Sequence, residues 1–302
     1  MAFGFDIAAL PAYTDQLSLD LISKVVLKTD LLDYVDLRSG FSSGTIAINL
    51  VDSDLPVSAL SCSFVPDGEV TYTQVNVVID SLQSKTTMCV EELRSVYQSA
   101  FMNPGTGNDQ LPFEAVISES YADKLRAYNE GYLINGAGAA GTGTGLKAQI
   151  TSANGAQLQA GTPAAWDANN AFSQALDLYD AIDEAVKDRD DLIMVVSPDA
   201  YRALTRALVA QNLYHFNSVE GNDILILPGT NVTVVKSSGL VGSDYKFAGP
   251  GKMILAATGL TDELDTFRFF YDEAADVMKF RAAWRLGVGV GEVNVFATND
   301  LA

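Results

Sequence analysis

The chain has 302 residues, more than a single hydrophobic core usually organises, and 48% of them are apolar, enough for two lobes with extensions. Its formal charge of −19, from 38 acidic against 19 basic residues, excludes a surface built to neutralise phosphates, because counterion release needs clustered Lys and Arg. Nucleic acid is therefore not expected as a ligand. No cation precedes Lys24 and no long apolar core follows the start, so neither a secretory signal nor a membrane anchor is expected, and no other stretch reaches spanning length.

Residues 1–40 read as an arm. Leu17, Leu21 and Val25 share one helical face with Thr14 placed to cap it, but the flanking segments hold too few apolar residues for a core, so the arm must lie on the parent domain. From Thr45 the period becomes two. Thr45-Ile46-Ala47-Ile48-Asn49-Leu50 alternates, residues 70–77 alternate again, and Pro66-Asp67-Gly68 supplies the turn, which predicts a long hairpin. The intervening segment is too rich in Ser and Asp for a buried sheet. An isolated hairpin is marginal in water, so a partner surface is expected to complete it.

Residues 113–135 give the strongest helical pattern, with Phe113, Ile117, Tyr121, Leu125, Tyr128 and Tyr132 at three- and four-residue spacing, Pro112 before the first turn and Gly136 at the stop. Residues 136–145, almost all Gly, Ala and Thr, form a loop. A second lobe starts near Trp166: Phe172, Leu176, Tyr179, Ile182 and Val186 predict one helix, residues 193–196 a buried strand, and Ser197-Pro198-Asp199 a capped helix start running through Leu204, Leu208 and Gln211. Strands follow at 224–227 and 232–235, then at 253–257, 267–271, 277–284 and 288–296. The last group needs earlier partners, and the helix at 113–135 with the strands before it is the simplest, which makes the first lobe discontinuous in sequence.

Candidate chemistry is sparse. Gly136-Ala137-Gly138-Ala139-Ala140-Gly141 spells a dinucleotide fingerprint, but that motif needs a strand before it and a helix N-terminus after it, whereas a helix precedes and a Thr/Gly coil follows. Lys147 stands two residues after Gly145 and precedes Ala148, so no P-loop is present. His215 is the sole histidine; it closes a predicted helix beside Phe216 with no nucleophile turn nearby, and it reads as a complement to the helix dipole. Asp188, Asp190 and Asp191, and likewise Asp262, Glu263 and Asp265, lack calcium-loop spacing and read as solvated faces. Cys62 and Cys89 form no C-x-x-C pair and read as reduced thiols. No catalytic residue, cofactor or metal is expected.

The order of elements resembles that of the major capsid proteins of tailed bacteriophages, which have the HK-ninety-seven-like fold. The hairpin at 45–77 is similar to the family's extended loop. Ser84-Lys85-Thr86-Thr87-Met88-Cys89-Val90-Glu91-Glu92-Leu93 resembles its strand into the peripheral domain. Residues 112–135, ending in Leu133-Ile134-Asn135-Gly136, resemble the spine helix with its Gly-rich exit. Residues 166–186, followed by Ile193-Met194-Val195-Val196-Ser197-Pro198-Asp199-Ala200-Tyr201, resemble the axial-domain helix and its strand-to-helix turn. Met278-Lys279-Phe280-Arg281-Ala282-Ala283-Trp284-Arg285-Leu286-Gly287-Val288 resembles the closing strand. Lone hairpin, spine and returning sheet in this order are rare among enzymes.

The resemblance implies an α+β fold divided into an N-terminal arm (1–40), an extended hairpin loop (41–84), a peripheral domain (85–160 and 249–302) and an axial domain (161–248). It implies a structural, non-enzymatic subunit that self-assembles as hexamers and pentamers into an icosahedral shell around double-stranded DNA, in a virion assembled in the bacterial host cytoplasm. Portal, decoration or cement proteins are implied partners, and the short arm points to a separate scaffolding protein. Encapsulin-like compartment shells are the nearest competing reading, and a nucleotide-binding soluble enzyme the competitor from another class. Asp52, Asp54, Asp67 and Glu69 make the hairpin tip acidic, so it is expected to meet basic residues of a neighbour, Lys124 and Arg126 on the spine helix being the candidates. Family members with covalent chain mail use a hairpin lysine. Here no lysine stands between Lys28 and Lys85, so a shell of this chain is held non-covalently.

Overall fold

The computed structural model describes residues 31–41, 44–53, 68–89, 113–136, 143–213, 225–259, 268–272, 275 and 277–301. β3 (Val70–Cys89) runs for 20 residues and does two jobs. Its residues 79–89 pair antiparallel with β11 (Val277–Val290), Gly287 opposite Ile79 and Val277 opposite Cys89. Its residues 70–79 pair antiparallel with β2 (Gly44–Ser53), Gly44 opposite Ile79 and Ser53 opposite Val70. Ile79 is the junction. On one side of it the strand pairs with β11 and so joins the first sheet; on the other it is half of a two-stranded hairpin roughly 30 Å long at about 3.4 Å per residue.

The first sheet has the order β1-β9-β11-β3-β2, with β10 (Arg268–Asp272) beside the far end of β11. β9 (Ile254–Thr258) is buried along its whole length, and β1 (Asp36–Arg38) covers its edge in parallel register, Asp36 opposite Leu255. This corrects one expectation. The end of the predicted arm is a sheet strand, preceded by the buried Leu31 and Leu32, because a fully buried β9 cannot leave its ladder groups unpaired. The expected helix of Thr14, Leu17, Leu21 and Val25 lies outside the described residues.

The second sheet has the order β4 (Gln157–Leu158), β12 (Ala297–Thr298), β8 (Phe247–Pro250), β5 (Leu192–Val196), β7 (Thr233–Lys236), β6 (Leu225–Ile226). All five residues of the apolar run in β5 are buried, as expected for a strand interior to a covered sheet. β4 and β12 were expected in the first lobe and sit here instead. The reason is local: Phe296 fills the space over Gly249, where a Cβ would lie 2.3 Å from its ring, and so draws the end of the chain onto β8. The strands expected at 277–284 and 288–296 are likewise one strand as far as Val290, followed by a 3-10 turn at Val293–Val295.

Helices bind the sheets together. α1 (Phe113–Asn135) lies along β11, with the Tyr121 ring stacked on Phe280 at 4.6 Å and Tyr128 edge-on to Trp284 at 6.3 Å. Its C-terminal end reaches the second sheet. α2 (Leu146–Gln149) follows the glycine run, and Gln149 caps the end of the β11 ladder, its Nε2 donating to the Val288 carbonyl (3.1 Å) and its Oε1 accepting from Val290 N–H (3.1 Å). α3 (Ala171–Asp180) stops six residues before the predicted end, because Asp183 accepts from Ala185 N–H and starts a separate 3-10 turn at Glu184–Val186. α4 (Pro198–Ala210) begins as predicted, with Ser197 Oγ accepting from Ala200 N–H (3.3 Å) and Pro198 in the first turn.

The chain passes from β8 to β9, and so from one sheet to the other, through a 3-10 turn at Gly251–Met253. Asp191 fixes that turn. Its carboxylate receives both Nε (2.8 Å) and Nη2 (2.9 Å) of Arg189 and the Lys252 N–H (3.3 Å), while its carbonyl accepts from Gly251 N–H (2.8 Å). The Arg189 hydrogen bond holds its pKa below the usual aspartate value. A depressed folded pKa stabilises the fold above the unfolded aspartate value and ceases to do so as pH falls through the folded one. Asp191→Asn is therefore expected to cost about 1–2 kcal/mol at pH 7 and to flatten the stability profile below about pH 4, measured by denaturant melts of the unassembled subunit. An unchanged acid limb contradicts this role.

Candidate assembly surfaces

Among the described residues no group of three or more metal-ligating side chains converges, and no helix is long and apolar enough to cross a membrane. His215, Cys62 and the Asp262, Glu263, Asp265 cluster lie outside the described residues. Asp188 and Asp190 are exposed and Asp191 serves the structural turn, so the first acidic cluster does not converge on an ion. A cleft of about 220 Å³ opens between Asn76, Val78, Thr144, Ala148, Gln149, Asn154 and Val288, with no ionisable group among these residues.

The two ends of the glycine run meet in a narrow neck. Gly136 has φ +77° and donates to the Tyr132 carbonyl (2.7 Å), ending α1 in the left-handed conformation that glycine adopts freely. Gly136 bridges Thr144, and a Cβ on Gly145 would lie 2.3 Å from Gly136 N and from the Ile134 carbonyl oxygen. Asp80, one residue past the hairpin junction, accepts from both Tyr132 Oη and Gly143 N–H, tying the neck and α1 to the root of the hairpin. Burial together with the Asp80 hydrogen bond raises the Tyr132 pKa far above the ordinary phenol value, so it remains a donor. The four-residue α2 after this neck is too short to offer the helix terminus a pyrophosphate needs.

α1 carries two of the expected contact residues. Lys124 is exposed; Arg126 is half-buried and already engaged in the subunit. The sequence reading missed the polar residues on the same helix that matter most. Asn129 is buried because its Oδ1 accepts from Trp284 Nε1 (2.9 Å), and Glu130 because it accepts from Ser238 N–H (3.1 Å) and Ser238 Oγ (2.5 Å). Asn135 Nδ2 donates to the Gly239 carbonyl (2.8 Å). Tyr128, counted in the apolar face, is half exposed. Buried polar residues interrupt an apolar period, and only their partners, some 100 residues or more away in sequence, explain them.

The hairpin is the main surface left unpartnered. Its register places Val51 opposite Tyr72 and Ser53 opposite Val70 on one face, and there Tyr72 is 77%, Val51 61% and Val70 50% exposed. The other face carries the half-buried Ile46, Ile48, Leu50 and Val75 and the buried Val77 and Ile79. The first face is thus apolar at the distal end and the second nearer the root, and solvent does not reward the exposed distal patch. Asp52, the last residue but one of β2, stands opposite Thr71 and Glu69 is exposed, while Asp54 and Asp67 lie outside the described residues.

Lys246 is the one fully buried cation among the described residues. Its Nζ donates to the Asp244 carbonyl (2.6 Å) and sits 5.1 Å from the Trp166 ring centroid. Burial outweighs the attraction of Asp244 and lowers its pKa to about 8. Between that value and the ordinary lysine value the unfolded chain binds one more proton than the folded one, so stability rises with pH across this window. Subunit stability is expected to increase by on the order of 1–3 kcal/mol from pH 7.5 to 9.5, and Lys246→Met should abolish the slope. A wild-type profile that is flat or falling there contradicts it.

No family model matches the chain, and no curated protein matches it in sequence. Solved structures do match. The capsid of a native GTA particle superposes with a TM-score of 0.61 at 14% identity, covering 90% of each chain. Gordonia phage Cozz gives 0.58 at 11% identity over 90% of this chain and 85% of that one, and a virus-like particle from Pyrococcus furiosus 0.55 at 13% over 95% and 98%. Identity this low carries information about architecture alone, and the coverage extends it to nearly the whole chain. The hairpin continuing from a central strand, the helix laid along the sheet and the second mixed lobe together make this the HK-ninety-seven-like capsid fold.

Proposed function

We propose that the chain is the major structural subunit of an icosahedral shell that encloses the double-stranded DNA of a tailed phage, with a structural rather than a catalytic role. The observation that carries this reading is the hairpin: about 30 Å of two-stranded ribbon with apolar side chains exposed on it, in a chain whose fold is that of capsid proteins. Full burial of Tyr72, Val51 and Val70 against a neighbour is worth about 1.5–3 kcal/mol each, whereas an exposed ion pair is worth about 1 kcal/mol or less. Apolar contact therefore supplies the affinity and charge the orientation. Repeated around hexamers and pentamers, such contacts sum to a stable lattice. The acidic tip, with Asp52, Asp54, Asp67 and Glu69, would meet bases of a neighbour, Lys124 and Arg126 among the candidates. Portal, scaffolding and decoration proteins would complete the particle, assembled in the host cytoplasm.

Purified recombinant chain is expected to sediment as capsomers or closed particles under electron microscopy; a chain that stays monomeric at all concentrations contradicts the proposal. Val51→Ser with Tyr72→Ser should abolish those assemblies while shifting subunit stability by less than about 0.5 kcal/mol, since both side chains are already exposed. Normal particles from this variant would remove the hairpin from the account. Boiling particles in detergent with reductant should release a single monomer band, because no lysine lies on the hairpin to attack a neighbour's carboxamide. A ladder of covalent oligomers contradicts that prediction. NAD or ATP should leave the melting temperature unmoved, as mass action requires of a non-ligand.

A further inference from the structure

α1 covers the face of the first sheet that displays Phe280 and Trp284. Alternation along β11 therefore turns Lys279, Arg281 and Arg285 to the opposite face. There the register sets Lys85 of β3 opposite Arg281. Four of the chain's 19 cations, Lys85, Lys279, Arg281 and Arg285, thus share one sheet face, and Lys85 and Arg281 stand directly opposite each other on a single rung. Like charges placed directly opposite weaken a sheet, and here they do so in a chain with twice as many acids as bases. Lys279 is answered by Asp272. Lys85 and Arg281 are exposed, and among the described residues neither has an ion-pair partner.

We propose that this rung is the docking site for the acidic hairpin of a second copy of the chain; the inference rests on the shell reading above and names the contact that reading leaves open. Charge complementarity selects the occupant. Residues 39–84 contain Asp52, Asp54, Asp67, Glu69 and Asp80 and no Lys or Arg, so the hairpin is anionic without a compensating base. Subunits that each carry −19 repel one another unless opposite charges meet where they touch, and this face offers two exposed cations side by side. The α1 pair is a weaker receptor, because Arg126 is already engaged and Lys124 is left single. Duplex DNA, the other polyanion within reach, is disfavoured by the charge of the whole subunit.

The test is charge reversal in the full chain, read as particle yield by sedimentation and microscopy at low salt. Lys85→Glu with Arg281→Glu should lower the yield about tenfold or more while leaving the melting temperature of the unassembled subunit unchanged, since one opposed like-charge pair replaces another, which separates assembly from folding. Adding Asp52→Lys, Asp54→Lys and Glu69→Lys should restore it, and Lys124→Glu alone should assemble like the parent. Normal yield from the sheet-face variant overturns the proposal, as does a loss that the hairpin swap fails to rescue. Loss with Lys124→Glu but not with the sheet-face variant returns the hairpin to α1. Retention of duplex DNA by the parent that vanishes in the sheet-face variant, with assembly intact, assigns the face to nucleic acid. A parent chain that never assembles sinks the shell reading itself, which these other outcomes leave standing.

Discussion

The antiparallel pairing of β3 with β11 is the constraint on which the rest of the molecule depends. It runs for eleven residue pairs, from Ile79 opposite Gly287 to Cys89 opposite Val277, and holds β3 rigid at the point where it leaves the sheet. Gly287 makes the junction close: a Cβ there would lie 2.6 Å from the Val78 carbonyl oxygen, and one on Gly289 would lie 2.2 Å from Val77. Ladder bonds on one side of Ile79 thereby set the direction of a ribbon that has no core of its own on the other. Asp80 reinforces the same point by bonding Tyr132 and Gly143, so hairpin, α1 and glycine neck share one anchor.

From that anchor the subunit extends in two directions. α1 carries the connection inward, through Trp284 on the first sheet and through Glu130 and Asn135 to the Ser238–Leu240 turn of the second. The hairpin carries it outward, exposing apolar side chains that nothing in the subunit covers. Exposed apolar surface of this kind on a ribbon without its own core is what the proposed contact with a neighbour would bury. The proposed contact also separates charges: the acids of the hairpin and the Lys85–Arg281 rung belong to different parts of one subunit, and their pairing between copies would be head-to-tail around a ring.

Much of this was legible in the sequence, for physical reasons specific to each element. The period-two runs of β2 and the first half of β3 can form only an alternating ribbon, and Ser197-Pro198 can only start a helix. Gly136 marked the end of α1 because no other residue takes φ +77° without strain. What stayed illegible depended on distant partners. Asn129 and Glu130 read as surface until Trp284 and Ser238 are placed beside them, and residues 36–38 read as arm until β9 needs an edge partner. The cationic rung was hidden for the same reason. Lys85 and Arg281 are far apart in sequence, and only strand register brings them into line.

The central claim is that one subunit's hairpin lies across the next subunit. Electron cryomicroscopy of particles formed by the purified chain tests this most directly. The account predicts closed shells in which the ribbon of β2 and β3 crosses a neighbour, with Tyr72 and Val51 covered and the acidic tip over Lys85 and Arg281. A reconstruction in which the hairpin folds back on its own subunit, or in which Tyr72 remains in solvent, would contradict it.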